Sequence, residues 1–122
     1  MSEDISGLPP QIQQRLLRLQ QLQQTLQGVV NQKQQVEMQL NEVEQAVGEL
    51  EKLTETAIIY KSIGALLIKS EKGKVTSDLT DRKELLKMRV EVLTKQDERL
   101  RTQVKDLQEK LQRDLRPVSG PV

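Results

Sequence analysis

Two runs of seven-residue periodicity, parted by a short β-branched insert, leave this chain few ways to fold. From Gln11 to about Glu55 the sequence is rich in Gln, Glu and Leu and has no proline. One seam position carries Ile12, Leu19, Leu26, Lys33, Leu40, Val47 and Thr54. The other, three residues on, carries Arg15, Leu22, Val29, Val36, Val43, Leu50 and Ala57. Alternating steps of three and four give a stripe of period 3.5, which underwinds paired helices into a left-handed supercoil. Residues 11–55 therefore read as one helix, on the order of 65 Å long at ~1.5 Å per residue. Arg15, Lys33 and Thr54 are the exceptions on its seam. Pro9 and Pro10 suit its first turn, where a missing N–H loses no bond. Past the insert, Leu79, Leu86, Leu93, Leu100 and Leu107 recur every seven residues, with Lys83, Val90, Asp97, Val104 and Leu111 as companions. This predicts a second helix over 76–115, with Thr76 as N-cap, Asp78 and Asp81 favouring its N-terminus, and Pro117 stopping it.

The insert, TAIIYKSIGALLIKSEKGKVT, has another character. It predicts a β-hairpin over 57–70, with strands Ile58 to Ile63 and Leu66 to Lys69 around Gly64-Ala65. Glycine opening a two-residue loop meets the requirement of a type II′ turn. That register sets Ile63 against Leu66, Lys61 against Ile68 and Ile59 against Ser70. Glu71-Lys72-Gly73-Lys74 then reads as a polar turn. The fold class is mainly α. Two matched helices return on each other as an antiparallel coiled-coil arm, with the hairpin at the closed end and both termini at the open end. One domain covers 10–116, with flexible tails over 1–9 and 117–122.

A lone hairpin is marginal in water. This one carries aliphatic residues on both faces and two open edges, and the helices spend their stripes on one another. Hairpins from several chains are expected to join edge to edge into a shared sheet or β-barrel body. Ile58, Ile59, Tyr60, Ile63, Gly64, Leu66, Leu67 and Ile68 are the assembly residues. Burying each large aliphatic side chain contributes about 1.5–3 kcal/mol.

Composition removes most other functions. Tyr60 is the sole aromatic residue of 122, so a thick close-packed core is not expected. With no Cys and no His there is no thiol nucleophile, imidazole base, disulfide or Cys/His zinc site. Glu37, Glu42, Glu44, Glu49 and Glu51 lie at spacings too common on helices to mark a metal site. A net charge of +1 and one aromatic ring give no platform for nucleic acid. No apolar run spans a membrane, and MSEDISGLPP lacks the features of a signal peptide. The expectation is a soluble, cytoplasmic protein that is not an enzyme and needs no cofactor.

The run QKQQVEMQLNEVEQAVGELEKL, then YKSIGALLIK, then seven-spaced leucines with TKQDERL resembles the β-type subunits of archaeal prefoldin. The likeness covers residues 10–115. The centrally placed YKSIGALLIK carries it, because heptads alone are common. The resemblance implies a hetero-hexamer of two α-type and four β-type subunits, with a double β-barrel body and six helical arms. It further implies an ATP-independent holdase chaperone of the cytosol. Such a chaperone captures unfolded polypeptides at its arm tips and delivers them to a group II chaperonin.

The residues offer their own support for a tip. Ile12, Leu16, Leu17 and Leu19 make a stripe wider than one partner helix covers. Leu111 and Leu115 return at the same level, with Leu107 just inside, and Leu8 and Ile5 extend the patch. Leu8, Ile12, Leu16, Leu17, Leu111 and Leu115 are thus the client-binding residues. Leu19 and Leu107 are expected to finish the coiled coil. Apolar attraction is non-directional, which suits clients without a fixed surface. The competing reading is a structural coiled-coil adaptor for a defined partner helix, which would confine its aliphatic residues to the seam. Lys33 and Asp97 face each other if the helices return level. They then form either a register-fixing ion pair or two side chains that reach separately to water.

Overall fold

The computed structural model describes residues 7–115. The element order is α1 (Pro10–Glu51), β1 (Ile59–Ile63), β2 (Leu66–Ser70) and α2 (Lys72–Leu115). The expected N-terminal tail lies within residues 1–6 except for its last three positions. Ile5, Pro117 and the C-terminal tail lie outside the described residues.

α1 starts where its prolines allow. The Pro9 carbonyl accepts from the N–H groups of Ile12 and Gln13, both at 3.0 Å, so Pro9 is the cap and Pro10 the first helical residue. The Gln13 side-chain amide donates to the Leu8 carbonyl at 2.7 Å, holding the incoming chain against the first turn. The helix ends at Glu51, four residues before the expected limit. Lys52 and Leu53 donate to Glu49 and Leu50, at 3.2 and 3.1 Å, in a tightened final turn. Beyond it come Thr54 and Thr56, whose stiff, branched side chains resist helix and whose hydroxyls meet at 3.5 Å.

The hairpin has the expected register, with Ile63 opposite Leu66, Lys61 opposite Ile68 and Ile59 opposite Ser70. Its strands are one residue out at each far end, since Ile58 is not paired and Ser70 is. Gly64 has φ +56°, the left-handed value that a primed hairpin turn demands at its first central position.

α2 begins at Lys72, four residues earlier than Thr76. The Glu71 carbonyl accepts from Val75 N–H at 3.0 Å, which makes Glu71 the cap and abolishes the expected polar turn. Gly73 is simply absorbed, at ~1 kcal/mol against alanine. Thr76 is inside the helix. Its carbonyl accepts from the Thr80 hydroxyl at 2.8 Å, and its own hydroxyl is buried with no hydrogen-bond partner among the described residues. Asp78 and Asp81 fall beyond the first turn, and Asp78 instead meets Lys61 of β1 at 3.8 Å.

The described chain packs as two compact units, one joining α1 up to Asn31 with α2 from Leu93 onward, the other spanning Gln32–Val92. In each, the helices run antiparallel. In the first, Arg15 of α1 forms an ion pair with Asp114 of α2. In the second, Glu44 of α1 lies 4.0 Å from Lys83 of α2. The buried residues are the heptad positions: Leu22, Leu93, Val104 and Leu111 in the first unit, and Val36, Val43, Leu50 and Leu86 in the second. No described side chain is wholly enclosed, as expected where two helices share one seam and nothing lies behind it.

Candidate functional site

The hairpin is the first candidate surface. Ile58, Tyr60, Ile63, Leu66, Leu67 and Ile68 are all exposed, Leu67 at 71% of its surface, while Ile59 is half-buried. Alternation along each strand sends neighbours to opposite faces, so both faces are apolar. Among the described residues the sheet has two strands, which leaves both outer edges without backbone partners there. Lys61 of β1, at 3.8 Å from Asp78, ties the hairpin to α2, and a second tie lies at its base. The Lys72 ammonium donates to the Leu53 carbonyl at 2.7 Å and lies 3.6 Å from the Glu55 carboxylate, and its side chain is only 14% exposed. Lys72 thus ties the segment leaving α1 to the first turn of α2. Sequence reasoning placed it in a polar turn and missed this, because the partner is a backbone carbonyl 19 residues away.

The second candidate lies in the unit that carries the outer ends of both helices. Leu16, Leu19, Leu111 and Leu115, with Gln108 and Gln112, line a hollow of about 660 Å³. Leu17 is 52% exposed and Leu115 48%. Leu8, Ile12, Leu16, Leu19 and Leu107 are half-buried. Leu111 does not match its expected role as a surface contact. At 4% exposure it belongs to the seam and floors the hollow, because it completes the heptad begun by Leu93, Leu100 and Val104. Arg15, a seam exception, is accounted for by its ion pair with Asp114 across the two helices.

Asp97, a polar seam residue of α2, is buried and bound by Arg101 one turn on, with Nη2 to Oδ2 at 3.5 Å and a closer contact from Nε to Oδ1. That hydrogen bond, and then the carboxylate's charge, raise the Arg101 guanidinium further above its already high ordinary value.

One exposed stripe had not been anticipated. Leu85, Met88 and Val92 are each more than half exposed and follow the same three-four spacing as the seam, but out of phase with it. The signal was present in LLKMRVEV, hidden by the stronger leucine repeat beside it. Among the described residues no cluster of His, Cys, Asp and Glu is arranged to hold a metal ion, and no helix is long and apolar enough to cross a membrane.

Two long helices joined by a two-stranded hairpin, with exposed aliphatic residues on its strands and an apolar hollow between the helix ends, define a helical coiled-coil protein with a β-hairpin insert. A family model described as prefoldin subunit matches residues 13–116. Prefoldin subunit beta of Methanosarcina acetivorans is 45% identical over 92% of this chain and 96% of its own length. That of Pyrococcus furiosus is 41% identical over 93% and 97% respectively. The crystal structure of the prefoldin beta subunit from Thermococcus strain KS-1 superimposes with a TM-score of 0.84 at 39% identity, covering 91% of this chain and 97% of that one. The chain belongs to the prefoldin subunit family, and its likeness is to the family's β subunits.

Proposed function

We propose that this chain is an ATP-independent holdase subunit of a prefoldin chaperone, acting in the cytosol. Its hairpin fuses with those of other subunits into a shared β-barrel body, two α-type with four β-type in a hetero-hexamer. Its helix ends hold unfolded polypeptides for delivery to a group II chaperonin. Membership of the family supports a chaperone subunit that assembles with other prefoldin subunits. The observation that carries the holding role is the pair of exposed leucines off the seam, Leu17 and Leu115, at a leucine-lined hollow where the seam residues Ile12, Leu19 and Leu107 are half-buried and Leu111 is buried. Aliphatic surface without fixed geometry accepts many sequences, and weak contacts gain strength when several copies act on one client. An adaptor for one defined helix has no use for leucines off the seam at this place.

The test is to replace Leu16, Leu17 and Leu115 together by Ser. Leu111 is left intact, since its loss would unmake the helix pair. Light scattering of a chemically denatured client should rise toward its level without chaperone, while the mass of the assembly stays unchanged. Undiminished suppression by an intact assembly would overturn the assignment.

A further inference from the structure

The unit that holds the leucine-lined hollow has a second, smaller one of about 310 Å³, lined by Arg18, Leu22, Gln103, Asp106, Leu107 and Lys110. Its floor is Leu22, which is buried, beside the half-buried Leu107. Its rim carries two cations and one carboxylate. Neither Arg18 nor Lys110 forms an ion pair among the described residues, unlike Arg15 and Arg101 in the same unit. The α1 side of the rim is also short of acids. Between Asp4 and Glu37 the sequence holds no Asp or Glu at all. An uncommitted cationic rim around an apolar floor is complementary to an aliphatic side chain with a carboxylate close by.

We propose that this hollow gives the chain a preference among unfolded segments, favouring those in which Leu, Ile or Val is adjacent to Asp or Glu. The inference rests on the holdase reading and adds a client class to it. The aliphatic side chain enters against Leu22 and Leu107. The carboxylate accepts from Arg18, whose planar fork donates in a two-point contact, with the more flexible Lys110 ammonium as a point charge alongside. Asp106 offsets one of the two cations, so the rim keeps one positive charge. A client lysine would meet that charge as a repulsion. Exposed pairs of this kind are screened by salt, so the preference belongs to low and physiological ionic strength.

Three unfolded synthetic peptides of equal length, with leucine followed by Glu, Gln or Lys in otherwise identical scrambled sequences, serve as probes. Their binding to the full chain, assembled with its α-type partner, is read by fluorescence anisotropy. The Leu-Glu peptide should bind about two- to fivefold more tightly than the Leu-Gln peptide, the range expected of exposed ion pairs, and the Leu-Lys peptide more weakly than either. The order should vanish in about 1 M salt. R18Q/K110Q leaves Asp106 as the only rim charge and should abolish the Leu-Glu advantage and turn the order toward Leu-Lys, D106N should spread the wild-type order further, and K105Q/R113Q, which changes exposed cations outside the hollow, should retain it. Equal binding of the three peptides at low salt, or an order that survives R18Q/K110Q, would overturn the preference and leave the holdase reading standing. Failure to bind any of the three would remove both.

Discussion

Lys72 carries a heavier structural role than its place beside a glycine suggests. Its ammonium is largely withdrawn from water and donates to a backbone carbonyl that the end of α1 would otherwise leave without a partner. A charged hydrogen bond of this kind is worth about 1.5–3 kcal/mol. Lys72→Met keeps the stem and removes the donor, so it should lower unfolding stability by about that amount in denaturant titrations and increase amide exchange at Thr54 to Ala57. Leu111 and Leu17 are chemically identical and structurally opposite, one seam and one surface. Leu111→Ala should cost about 2–3 kcal/mol through lost contacts and a void, whereas Leu17→Ala should change stability by less than about 0.5 kcal/mol. Thermal melts of the two variants separate a floor residue from a contact residue directly.

Among the elements, the hairpin is the one that its own chain leaves unfinished. Its register follows from alternation and from a single glycine at φ +56°, both strictly local, and both were readable in YKSIGALLIK. The heptads were equally plain, because a seam that buries Leu22, Val36, Val43 and Leu50 must repeat every three or four residues. What could not be read depends on long-range contacts or on competing local signals. Thr76 followed by Asp78 has the look of a helix start, yet α2 starts four residues sooner, at Lys72, the residue bound to the Leu53 carbonyl. Thr54 fits the heptad and still lies outside α1, because threonine supplies little apolar surface to hold a last turn. The Leu85, Met88 and Val92 stripe was masked by a leucine repeat one residue away. If hairpin faces are made for other chains, charge placed there should leave the chain's own fold alone. Ile63→Lys with Leu67→Lys alters one exposed residue on each face. Helical circular dichroism should stay at its wild-type value per residue while sedimentation shifts to smaller species.

For the molecule as a whole, folding and assembly divide the apolar residues between them. The heptad leucines and valines are used within the chain, and the isoleucines and leucines of the insert are left for other subunits. In the proposed holdase role, the exposed leucines at the helix ends are left for clients, where weak single contacts act together through the effective concentration that assembly provides. This division makes the oligomer a requirement, since a lone two-stranded sheet with five large exposed apolar side chains on its strands is at best marginal in water. The mass of the native particle at micromolar concentration tests that requirement most directly, read by sedimentation alongside hydrogen exchange of the strand amides. The account predicts particles of several chains, six when α-type subunits are supplied, with Ile59 to Ser70 protected. A stable 14.0 kDa species whose strand amides are protected equally well would contradict it.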